Sequence, residues 1–71
     1  MKIYAVVAEL SMCSPDYMMF YDSLKKAKDY LKETSKEFIQ DKVKWINTKS
    51  FEVKVSSQCC DKYYIETIEV H

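Results

Sequence analysis

The sequence predicts a single α+β domain spanning residues 1–71. One long amphipathic helix covers one face of an antiparallel sheet of four strands, or five if residues 43–46 are extended, in the order β-β-α-β-β. Three observations predict it. Within residues 22–41, Leu24, Ala27, Leu31 and Phe38 share one helical face. The opening KIYAVVAEL, residues 2–10, is apolar and rich in strand-forming side chains. Residues 50–57 alternate, with Phe51, Val53 and Val55 on one side and Glu52, Lys54 and Ser56 on the other. A helix laid on one face of an antiparallel sheet buries all three apolar surfaces together.

Each element follows in chain order. Residues 2–10 form a first strand that ends in the polar run Ser11-Met12-Cys13-Ser14-Pro15-Asp16, a loop. Residues 17–21, Tyr-Met-Met-Phe-Tyr, are too short for a helix and give the second strand of a hairpin. Asp22 or Ser23 is placed to accept the first free N–H groups as N-cap. The helix then carries Lys25, Lys28, Lys32 and Lys36 in one stripe and Asp29, Glu33, Glu37 and Asp41 in the next. Lys25 and Lys26 in the first turn oppose the helix dipole. The helical period breaks near Asp41 or Lys42, and residues 43–46 read either as a last turn bringing Trp45 to the core or as a short strand before the turn Asn47-Thr48-Lys49. The final strand, residues 62–70, carries Tyr64, Ile65, Ile68 and Val70, and its alternation slips at Glu66-Thr67, which predicts a bulge.

Composition narrows the function. At 71 residues there is room for one core only, and a chain of this size buries about 60% of its unfolded surface, so a homo-oligomer is one route to stability. A 48% hydrophobic fraction argues against disorder, and a 31% charged fraction suits a soluble surface. Lysines balance carboxylates at a formal net charge of +0 and arginine is absent, which speaks against nucleic acid as a partner. The opening apolar run stops at Glu9, too short for a signal peptide or membrane span, so the cytosol is the expected location. With no glycine, the chain holds no P-loop, no dinucleotide-binding G-x-G-x-x-G and no G-x-S-x-G nucleophile elbow.

Candidate chemistry is sparse. Cys13, Cys59, Cys60 and His71 are the candidate zinc ligands, and an adjacent Cys-Cys pair supplies a tetrahedral zinc site poorly. His71 is the last residue, with no rigid element beyond it to hold it as a base. Glu9, Asp16, Glu52, Glu66 and Glu69 belong to no acid–base signature and read as a solvated sheet face opposite lysines such as Lys54 and Lys62. No enzyme activity, cofactor or metal is expected.

The aromatic and methionine content points elsewhere. The six tyrosines, with Met12, Met18, Met19 and Trp45, exceed what one thin helix-on-sheet core can bury, and such side chains are enriched at protein interfaces. Residues 12–21 are the expected patch, with Met12, Tyr17, Met18, Met19 and Tyr21 as partner-binding residues. The sorted charges of the helix read as exposed scaffold, since such pairs contribute only ~0.3–0.5 kcal/mol each.

Three segments carry a family resemblance: the opening strand KIYAVVAEL, the run FYDSLKKAKDYLKE of residues 20–33, and the closing YYIETIEV of residues 63–70. Together they resemble small uncharacterised β-β-α-β-β domains of tailed phages and prophages, although Lys25 and Lys26 stand where those domains usually carry glutamate. The resemblance implies a protein that binds and inhibits a host enzyme or defence protein by occlusion. Sequestration of a nucleotide-like anion by an oligomer, and a structural or assembly adaptor, are the alternatives.

Overall fold

A computed structural model describes residues 1–10, 14–56 and 59–71. Its elements are β1 (Lys2–Glu9), β2 (Asp16–Tyr21), α1 (Leu24–Ser35), a 3₁₀ turn (Gln40–Lys42), β3 (Val43–Asn47), β4 (Ser50–Lys54) and β5 (Cys60–Glu69). The strands make one antiparallel sheet in the spatial order β2-β1-β5-β4-β3. Residues 43–46 are therefore strand, and the element order is β-β-α-β-β-β. Hairpins β1–β2 and β3–β4 supply the two edges, and β5 returns to pair with β1 in the centre.

The helix is shorter than the periodicity predicts. It ends at Ser35, after 12 residues, and two polar side chains explain the stop. Thr34 Oγ1 donates to the Tyr30 carbonyl at 2.9 Å and Ser35 Oγ to the Lys32 carbonyl at 2.6 Å. Such back-bonding competes with the helical ladder. The next amides tighten: those of Lys36, Glu37 and Phe38 donate to carbonyls three residues back. Gln40 Nε2 then donates at 2.9 Å to the carbonyls of both Ser35 and Phe38, satisfying groups the helix end leaves open. Phe38 reaches the core as expected, but from this turn and not from the helix. At the other end Ser23 occupies the N-cap position without a side-chain capping bond, and Asp22 lies 3.6 Å from Lys26, placing a carboxylate beside one of the mismatched first-turn lysines.

Side chains on the helix side of the sheet make the core. Val6, Ala8, Ala27, Leu31, Phe51, Val53 and Tyr63 are buried together, with Tyr4, Tyr21, Tyr30, Phe38, Val43 and Ile65 packed around them. Phe51 sits at its centre, its ring 5.1 Å from Tyr63 and 4.9 Å from Trp45. The helix rests on β1, β2 and β5, leaving Phe38 and Trp45 to cover β4.

The bulge predicted at Glu66-Thr67 is absent. β5 pairs with β1 in continuous register from Lys2↔Glu69 to Glu9↔Lys62. Side chains alternate through this stretch, Ile65 and Thr67 on the helix side and Tyr64 and Glu66 on the other, so the adjacent polar pair needs no inserted residue. Register shifts occur at the two edges instead, between Val6 and Val7 in the β1–β2 pair and between Trp45 and Asn47 in the β3–β4 pair.

Leu31→Ala is expected to lower the unfolding free energy by about 3 kcal/mol through the cavity it leaves, and Gln40→Ala by about 1 kcal/mol through the lost carbonyl partner. Urea denaturation followed by circular dichroism measures both.

Candidate functional site

One face of the sheet carries no helix, and it holds the exposed aromatic side chains of β2. Alternation puts Ile3, Ala5, Val7 and Glu9 of β1 on this face. Ala5 and Val7 are 0% and 1% exposed although no second layer lies over them. The neighbouring strands provide the cover. Phe20 lies opposite Ala5 and Tyr17 opposite Val7 on one side, with Glu66 and Tyr64 on the other.

The bulge assembles this cover. The register passes from Val6↔Met19 to Val7↔Tyr17, so Met18 is the extra residue. Strict alternation would set Tyr17 with Met19 and Tyr21, facing away from Phe20. The inserted residue turns Tyr17 onto the Phe20 side, where the rings stack at 5.6 Å between centroids and 15° between planes. The Tyr17 hydroxyl donates to Glu66 Oε2 at 2.7 Å, tying the edge strand to β5 across β1. Both rings stay about half exposed, Tyr17 at 52% and Phe20 at 56%.

The expected partner-binding residues separate accordingly. Tyr17 lies in the stacked pair and Met18 at the bulge. Met19 pairs with Val6 on the helix side and remains partly exposed. Tyr21 is half-buried, its ring 5.9 Å from Tyr30, and supports the core. Met12 lies outside the described residues. Phe20 belongs to the surface and is missing from the predicted set, because nothing in the sequence marks Met18 as a bulge.

Towards the far end of the same face the charges alternate in sign across four strands, with Glu9, Lys62, Glu52 and Lys44 opposite one another in turn. Beside this row, towards the β3–β4 turn, lies a shallow depression of about 650 Å³ lined by Glu9, Asn47, Ser50, Lys62 and Tyr64 among others. Lys62 Nζ stands 5.8 Å from the centre of the Tyr64 ring. Lys62 separates Glu9 from Glu52, so these carboxylates are not paired with each other as an acid and base would be. Cys60 is exposed at the start of β5 and Cys59 half-buried, both free thiols, and Cys13 lies outside the described residues. Among the described residues no cluster of three or more His, Cys, Asp or Glu could hold a metal, and every buried side-chain nitrogen or oxygen has a partner. No helix among them is long and apolar enough to cross a membrane.

Comparison with protein-family models, with curated proteins and with solved structures gives no match to this chain. The surface is therefore read from its own chemistry.

Tyr17 and Tyr64 on this face, and Tyr63 in the core on the other, hold their protons above the usual phenol value. Tyr17 is raised first by its hydrogen bond to Glu66, and Tyr63 and Tyr64 first by burial. A raised value in the folded state means that the folded chain binds the proton more tightly than the unfolded chain. The stabilisation is complete below the unfolded phenol value, about 10, and is lost as pH rises through that value towards the folded ones. Urea midpoints should therefore fall above about pH 10, with a shallower fall in Tyr17→Phe, which keeps the ring and removes the titrating group.

Proposed function

We propose that this chain is a non-enzymatic protein-binding module that occludes a surface of its partner with the helix-free face around β2. The observation that carries the reading is the stacked Tyr17–Phe20 pair: two half-exposed rings held over dry Ala5 and Val7 by the bulge at Met18 and the hydroxyl bond to Glu66. Aromatic anchors bind best when little entropy remains to be lost, and stacking with a tethered hydroxyl has already removed much of it. Met18 at the bulge, 37% exposed, extends the patch along the edge with an adaptable side chain. The charged row from Glu9 to Lys44 supplies a polar flank, as interface rims do. Inhibition of a host enzyme or defence protein is the form of occlusion that the phage-type resemblance suggests.

With the immobilised chain and a bacterial lysate, one dominant partner is expected. Tyr17→Lys combined with Phe20→Lys should reduce its capture at least about tenfold, while Lys25→Glu on the helix leaves it unchanged. Undiminished capture by the doubly substituted chain, with native circular dichroism, would refute the assignment of this face.

A further inference from the structure

The opposite edge of the sheet has a different chemistry. Among the described residues β3 pairs with β4 alone, so the outward N–H and C=O groups of its other side have no strand partner there. Beside that edge, between β3 and α1, runs a groove of about 380 Å³. The indole of Trp45, 42% exposed, lies on one side, and Lys28, Lys32, Lys36 and Gln40 line the other. Lys28 and Lys32 lie one turn apart on one flank of the helix, and Lys36 follows at its C-cap. Lys28 and Lys32 are in no ion pair among the described residues, and Lys36 lies 3.2 Å from Glu33. Asp29 is the carboxylate that shares the lining. From Lys42 to Lys54 the chain adds Lys42, Lys44, Lys49 and Lys54 against Glu52. An unpaired strand edge, an accessible indole and a lysine-rich wall thus meet at one place.

We infer that the β3 edge and the groove beside it accept an extended acidic segment of a partner protein as an added strand, with an apolar side chain against Trp45 and carboxylates beneath Lys28 and Lys32. Each part answers a different feature of the occupant. The open backbone groups call for a polypeptide, since an edge is satisfied by main-chain hydrogen bonds. The indole calls for an apolar side chain, and the surrounding lysines call for negative charge. The same lysines disfavour a second copy of this edge, because pairing β3 with β3 would set like charges side by side. The register shift between Trp45 and Asn47 limits regular pairing to Val43–Trp45, so the added strand is short and the groove contacts carry much of the specificity. This site lies across the sheet from Tyr17 and Phe20 and stands or falls independently of them.

The test uses the full chain and a short peptide of glutamates and aspartates with one central leucine, capped at both ends. Trp45 is the single tryptophan, so its emission reports the groove directly. A saturable change in emission is expected, weakened at least about tenfold by Lys28→Glu with Lys32→Glu, by serine in place of the peptide leucine, and by methylation of alternate peptide nitrogens. Added salt should weaken it as well, whereas Tyr17→Lys should not. No saturable change up to about 1 mM peptide overturns the proposal, as does equal binding of a lysine-for-acid peptide. Undiminished binding of the N-methylated peptide, or equal binding of adenosine triphosphate, would replace strand addition with simple anion binding. Sedimentation of the free chain as an oligomer that the two lysine substitutions dissolve would give the edge to a second copy and overturn it too.

Discussion

The pairing of β1 with β5 is the contact on which the rest of this small fold depends. It joins Lys2 to Glu69 and Glu9 to Lys62 in continuous register, closing the longest loop available to the chain. Each flank of this pair then carries a hairpin, β2 beyond β1 and β4–β3 beyond β5, so neither hairpin has a sheet to belong to until the centre forms. The entropic cost of closing so long a loop is offset by burial on both faces of β1, where Ala5, Val6, Val7 and Ala8 are all withdrawn from water. The small alanines matter as much as the valines. Ala8 lets Tyr63 lie beside it in the core, and Ala5 leaves space for Phe20 and Glu66 to close over the open face.

A second constraint is the early end of the helix. Thr34 and Ser35 turn their hydroxyls back to carbonyls in the preceding turn, and Gln40 completes the termination. The chain released by that stop returns as β3, bringing Trp45 onto Phe51 and completing the fifth strand. Three buffering polar side chains therefore decide how wide the sheet becomes and whether a groove exists between its edge and the lysine stripe.

The two edges of the sheet differ in kind. β2 begins at Asp16, is followed by Asp22 and carries the stacked Tyr17–Phe20 pair, whereas β3 is set among lysines. A chain with no net charge is thus uneven in its local fields, and two edges of opposite character would engage different partner chemistries. The helix lysines, which by sequence read as exposed scaffold, gain a second context beside Trp45 that only the return of β3 provides.

By itself the sequence determined the α+β class, the amphipathic helix and its face, the opening hairpin and the strand around Phe51, because periodicity records which side of an element must leave water. The excess of aromatic and sulfur side chains over core volume also implied that some of them stay outside the core, and Tyr17 and Met18 are among those left exposed. Tertiary structure alone decided the rest. The length of the helix turned on hydroxyl-to-carbonyl bonds that no apolar period encodes. The continuity of β5 turned on its place beside β1, whose register it follows without a break from Lys62 to Glu69. The grouping of Tyr17 with Phe20, and the exclusion of Tyr21 from that surface, turned on one inserted residue at Met18. A bulge reverses which side of the sheet a side chain meets, and its position is set by the partner strand, which a linear pattern does not contain.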